Sequence, residues 1–311
     1  MFSAKRTHEL VEYRAEPSDQ GDTCSTWAIF HGKRSLTAFG KFDYNVRAGV
    51  YFGLKDALFD LSIVIDKGEL IQIKNAQGKA KDIEKGRVFP LIMSRHAHRW
   101  KMRGTGDNRY TYCILPQSNP TEKNEEEMKL NYPRTWSWLN DFRKEFLQRK
   151  SKVFAKDPFY SVYGLGDWDS KYKVVWQGMG FYPDFSVISS VEDKILGKKL
   201  VLPEHVLYFI PIDKEDEAHY VCAILNSSLV KDTLFTLTGG GKSGISKEIL
   251  TKLRLDKFDH NNRIHNDLAQ ISKKAHKIAE SNNEDEITGI QADIDDLVNQ
   301  AYATKPYTLS Q

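Results

Sequence analysis

The chain has 311 residues, 40% hydrophobic and 28% charged, with a formal net charge of +3. That length supports about two domains with sizeable cores, and no apolar run approaches the roughly 20 residues of a membrane span. The N-terminus lacks the apolar core of a secretory signal, and Cys24, Cys113 and Cys222 lie far apart without metal-site spacing, which fits a reducing, cytoplasmic setting.

In chain order, residues 1–40 read as a linker or entry segment, with one expected strand at Thr26-Trp27-Ala28-Ile29-Phe30. The run Tyr44-Asn45-Val46-Arg47-Ala48-Gly49-Val50-Tyr51-Phe52-Gly53-Leu54 reads as a turn and a strand, with Gly49 and Gly53 supplying unusual backbone angles. Alternation on both sides of Lys67-Gly68-Glu69 predicts a hairpin over 61–73. Ile83-Glu84 then leads to Val88-Phe89-Pro90-Leu91-Ile92 inside a basic stretch: Lys85 to Arg103 holds six Lys or Arg residues and no acid. Thr121 to Met128 is polar and acidic and reads as a loop. Pro133 then opens a helix over 134–150, with Trp138, Phe142 and Phe146 as its apolar stripe and a basic end at Arg143, Lys144, Arg149, Lys150 and Lys152.

The second half opens with the strand Tyr172-Lys173-Val174-Val175-Trp176, then strand-like runs at 185–188 and 199–202 with Glu192-Asp193-Lys194 as the turn between them. Val206 to Ile212 is a buried strand closed by charged residues. The period then changes, and Val221, Ile224, Leu225 and Leu229 share one helix face. Asn226-Ser227-Ser228 sits in the middle, three weak helix formers that a purely structural helix would avoid. After the glycine run 239–241, Ser246 is an N-cap for a short helix carrying Ile249, Leu250 and Leu253. Two amphipathic helices close the chain, one on Leu268, Ile271, Ala275, Ile278 and Ala279, the other on Ile287, Ile290, Ile294, Leu297, Val298 and Ala301. Glu280 to Asp296 holds seven acids and no base, far from the basic stretch, which suggests a nucleic-acid face apart from a solvated or partner-facing end.

Two chemistries invite a test. Gly241-Lys242-Ser243 resembles a phosphate loop, but the glycine that motif requires at position 236 is a threonine. Pro183-Asp184 with Glu192 and Lys194 follows the pattern of metal-dependent nucleases, in which two carboxylates hold Mg²⁺ and a lysine stabilises developing charge. That nuclease is the alternative enzyme reading, and a protein-interaction subunit with an incidental basic patch is the blander one.

Several of these segments together resemble the TaqI-like specificity domain at the C-terminus of N6-adenine DNA methyltransferases and type IIG restriction–modification enzymes. They are the Tyr44–Phe59 entry, Ile83–Trp100, the basic-ended helix, Phe159–Trp176, the run Ile224-Leu225-Asn226-Ser227 followed by Ile245-Ser246, and the closing Ile294–Tyr302. Phe159 stands where that family often has Trp, and Ala303 where a glycine is usual. The resemblance implies an α+β fold: a twisted mixed β-sheet target-recognition domain over 41–257 with crossing helices, then an α-helical hairpin over 258–311. It implies double-stranded DNA as ligand and a methyltransferase or restriction catalytic domain or subunit as partner. The family's catalytic half carries a glycine-rich S-adenosylmethionine loop and Asn/Asp-Pro-Pro-Tyr; this chain has neither that fingerprint nor any Pro-Pro pair. The chain is therefore expected to be a fragment or free-standing subunit that holds no cofactor and does not methylate alone. The expected DNA-binding residues are Arg95, Arg99, Lys101 and Arg103 on one side of the sheet, Arg149, Lys150, Tyr160, Lys171 and Lys173 opposite them, and Lys242 on the glycine-rich loop.

Overall fold

The computed structural model describes residues 15–17, 27–29, 38–102, 110–119, 122, 125–154, 158–179, 184–238, 244–281 and 284–303. A small pair, β1 (Ala15–Pro17) and β2 (Trp27–Ile29), precedes β3 (Arg47–Ala48) and the one-turn helix α1 (Lys55–Leu58). The expected hairpin follows as β4 (Phe59–Lys67) and β5 (Leu70–Lys74), with Gly68 at φ +79° in its turn. Next come β6 (Ala80–Glu84), β7 (Val88–Ile92), the ribbon β8 (Ala97–His98) and β9 (Lys101–Met102), and β10 (Thr111–Ile114). Helices α2 (Glu125–Asn131), α3 (Pro133–Asn140) and α4 (Arg143–Leu147) lead to β11 (Tyr172–Gln177), β12 (Phe185–Ile188), β13 (Ser190–Asp193), β14 (Gly197–Leu200), β15 (Leu202–Pro203) and β16 (Leu207–Ile212). The last helices are α5 (Glu215–Leu225), α6 (Ser228–Thr238), α7 (Lys247–Leu250), α8 (Arg263–Ser281) and α9 (Glu284–Ala303).

The fold is α+β, and its strands divide between two main sheets. The six-stranded sheet runs β15-β7-β10-β4-β5-β6, antiparallel except where β15 lies parallel to β7. Its apolar face, including Leu61, Ile71, Ile73, Ile83 and Leu91, buries against Met128, Trp138, Leu139, Phe142 and Phe146 of the α2–α4 region. The four-stranded sheet runs β12-β11-β16-β3, all antiparallel. It shares a core with α5 and with the apolar faces of α8 and α9, so the C-terminal hairpin is packed onto this sheet.

Some local expectations change. The stripe Trp138, Phe142, Phe146 is buried as expected, but the single helix over 134–150 is two short helices. The break falls at Asp141 and Phe142, where Lys79 and Lys81 hold the Asp141 carboxylate at 3.3 and 2.9 Å. The segment read as an acidic loop ends inside α2: Glu125, Glu126 and Glu127 occupy the helix's first turn, where its dipole favours negative charge. Pro133 opens α3 as expected, and the open amides there are capped from another element. Glu84 of β6 accepts from the amides of Arg134 and Thr135 at 2.9 and 2.8 Å and from the Thr135 hydroxyl at 2.6 Å. Burial opposes the Glu84 charge, yet these hydrogen bonds hold its carboxyl below the ordinary glutamate range.

Asn226-Ser227-Ser228 does not lie inside a helix. Asn226 ends α5, and the chain restarts as α6 at Ser228, whose amide and hydroxyl meet the Asp295 carboxylate at 2.8 and 2.6 Å. Asn226 is fully buried, and its amide group works on the edge of β12. Nδ2 donates to the Phe185 carbonyl at 2.8 Å, and Oδ1 accepts from the Phe185 amide at 3.2 Å. A carboxamide supplies that donor and acceptor together, which accounts for a weak helix former at this point. Trp100, between β8 and β9, has φ +64°, a conformation costly for a bulky side chain. Tertiary contacts hold it there: its amide donates to Phe185 O at 3.2 Å, and its buried ring meets His276 at 5.4 Å.

Candidate nucleic-acid interface

The two sheets join where the main chain crosses three times, at residues 49–52, 163–164 and 203–205. Val50 N donates to Pro203 O at 2.9 Å, and His205 N donates to Val50 O at 3.1 Å. Tyr51 and Tyr163 exchange backbone hydrogen bonds at 2.8 and 3.1 Å, and Glu204 N donates to Ile92 O at 3.0 Å. The approach is closest at two glycines. A β-carbon on Gly49 would lie 2.4 Å from Pro203 O, and one on Gly164, at φ +78°, would lie 2.5 Å from Gly49 O. Gly49 is thus required for close backbone approach and not for an unusual dihedral; Gly53, at φ +70°, does have the angle expected of it.

Arg149 ties this seam to the helical segment. Its guanidinium donates to the carbonyls of Phe52 at 3.3 Å, Ser161 at 2.9 Å and Phe159 at 2.5 Å, and Nε donates to Phe146 O at 3.2 Å. Burial draws its pKa down to about 10. It is a bracket between loops, with its donors spent on carbonyls. Lys150 and Lys152 beside it are exposed. Arg95, exposed three residues beyond Ile92, pairs with Asp60, which also holds Lys55 at 2.9 Å. Arg95 and Lys150, expected on opposite sides of a sheet, both follow segments that meet at this seam.

The remaining expected residues separate. Arg99 is half-buried, donates to Asn226 O at 3.1 Å, and has its pKa lowered by burial. Lys101 donates to Ala279 O of α8 at 2.8 Å. Both serve the contact with the C-terminal helices. Tyr160 is buried in the six-stranded sheet's core, and that burial pushes its pKa up to about 12. Lys173 is fully buried, with Nζ on Ser170 O at 2.8 Å, and burial brings it down to about 8. These two are interior groups in this fold, not surface contacts. Lys171 is exposed but stands on the lip of a cleft of 480 Å³ lined by Asp213, Glu215, Asp216 and Glu217, an acidic setting poorly matched to phosphate. Arg103 and Lys242 lie outside the described residues.

The residues of the nuclease pattern lie in an ion pair or at the surface. Asp184 pairs with Lys231 at 3.5 Å, Glu192 is exposed on β13, and Lys194 is exposed just beyond that strand. The engaged acid is Asp193, which accepts from the hydroxyls of Tyr110 and Tyr112 at 2.8 and 2.7 Å and from the amides of Ile195 and Leu196, each at 2.8 Å. Among the described residues, no group of three or more His, Cys, Asp or Glu side chains is arranged to hold a metal ion. Nor, among them, is any helix long and apolar enough to cross a membrane.

The fold is thus α+β, with Arg149 bonded into the junction of its two sheets and Lys150 exposed beside it. No family model matches the chain. It is similar to "Type II methyltransferase M.NspV" from Nostoc sp. (strain ATCC 29411 / PCC 7524), with 28% identity over 184 residues. The similarity takes in 58% of this chain and 36% of that protein's length, and it relates the chain to a type II methyltransferase over that part alone.

Proposed function

We propose that this chain is a sequence-specific DNA-recognition module of a restriction–modification adenine methyltransferase, holding duplex DNA for an S-adenosylmethionine-dependent catalytic domain on another segment or subunit. The observation that carries the reading is the 28% identity to a type II methyltransferase, confined to 36% of that protein. Support comes from the specificity-domain motifs standing in family order, while Asn/Asp-Pro-Pro-Tyr is not found in the 311 residues. The exposed cations Lys150 and Lys152 suit phosphate oxygens, which set the register of a protein on a duplex, while Lys55 and Arg95 share Asp60. Methyl transfer and the cofactor belong to the partner in this reading.

The test is fluorescence anisotropy of the full chain with labelled duplex DNA between about 50 and 200 mM salt. The logarithm of affinity should fall with the logarithm of salt by roughly 0.9 per phosphate contact. Lys150→Glu with Lys152→Glu should weaken binding and flatten that slope. Absent binding, or methyl transfer by the chain alone, defeats the proposal. Magnesium-dependent cleavage lost in Asp184→Ala would replace it with the nuclease.

A further inference from the structure

The crossing at the seam leaves one acid–base pair at the surface. Glu204 is 3% exposed, and its carboxylate meets Nδ1 of His205, whose side chain is 44% exposed. Burying a carboxylate is costly, and an apolar residue would fill the same space more cheaply. What the carboxylate adds is orientation: it accepts from Nδ1–H and fixes the ring. Nε2, on the opposite edge of the ring, is then the nitrogen left for a ligand.

The surroundings are rigid. The His205 ring lies 4.7 Å from that of Tyr51, Tyr51 lies 5.2 Å from Phe154, and Phe154 lies 5.2 Å from Tyr163. The Arg149 guanidinium sits 3.5 Å over Phe154, and the Tyr163 hydroxyl donates to Val153 O at 2.5 Å. Two half-open polar rings are thus mounted on a fixed base, next to the segment that carries exposed Lys150 and Lys152. Positioned polar tips beside phosphate-seeking cations are what base readout requires.

We propose that His205, with Tyr51 beside it and Glu204 as the positioning residue, reads a base edge of duplex DNA; this rests on the chain being a DNA-recognition module. An outward lone pair on Nε2 accepts from an exocyclic amine, that of adenine or cytosine in the major groove. The residues give no motif in the sequence, since Glu204 and His205 simply follow Pro203 at the end of a strand.

The experiment is selection of bound duplexes from a randomised pool by the full chain, followed by salt-dependent anisotropy on the selected site. His205→Ala, at an exposed position, should erase roughly tenfold or more of the preference at one base pair and leave the salt slope unchanged. Tyr51→Phe, which keeps the ring, should affect the same position less than Tyr51→Leu. If His205→Ala keeps the selected sequence and full affinity, the inference fails while the recognition module stands. If affinity falls uniformly and the slope drops by about one, His205 contacts a phosphate and base reading is overturned. A wild-type chain that binds no duplex defeats the functional reading and this inference together.

Discussion

Replacing Asn226 with alanine tests the central joint of the molecule. The main chain of residue 226 is unchanged by the substitution, so its carbonyl can still accept from Arg99 and Gln291, at 3.1 and 3.3 Å in the wild type. What disappears is the side-chain pair to Phe185, Nδ2 to O at 2.8 Å and N to Oδ1 at 3.2 Å. The Phe185 carbonyl keeps the Trp100 amide, but β12 is an edge strand, and the Phe185 amide loses its acceptor. Two hydrogen bonds contribute about 1 kcal/mol each net, and an orphaned buried donor costs about 1–3 kcal/mol, part of which overlaps. A loss of about 3 kcal/mol is expected, a large share of the roughly 5–15 kcal/mol that stabilises a typical domain. Urea unfolding followed by circular dichroism should show a lower midpoint at unchanged slope. A loss under about 0.5 kcal/mol would refute the argument, because an orphaned amide in this core could not be so cheap.

Arg149→Lys keeps the charge but cannot span four carbonyls, so it should cost about 2–3 kcal/mol in urea unfolding; a loss near zero would return Arg149 to the list of candidate DNA contacts. The Glu84 carboxyl is held low, so its contribution is present above the ordinary glutamate range and lost as pH falls through the lowered folded value. Glu84→Gln should therefore be less stable than wild type near neutral pH and converge with it in acid, read as the difference in urea midpoints. Burial lowers His219 to about 3 and His276 to about 4, so the unfolded chain binds more protons below about pH 6.5. Stability should fall from pH 6.5 towards 4, and less steeply in His276→Gln; equal slopes would mean that the imidazole is not kept neutral by the fold.

Much of the fold was legible locally. The 61–73 hairpin, the buried strand before residue 213, the Ser246 cap and the two closing helices follow from period, turn residues and capping chemistry, all of which act over a few neighbouring positions. The N-cap shows how direct this can be, with Ser246 Oγ accepting from Ile249 N at 3.4 Å. The division of strands between two sheets was not legible, because pairing joins residues as distant as Leu91 and Leu202, and neither run names its partner. The roles of cations were hidden for the same reason. Arg95, Arg99 and Arg149 look alike in a basic sequence, yet one is exposed, one braces Asn226, and one holds four carbonyls. Composition records that a charge exists. Only the tertiary structure decides whether its donors are already spent on buried carbonyls, which cannot go unpaired, or remain at the surface for a ligand.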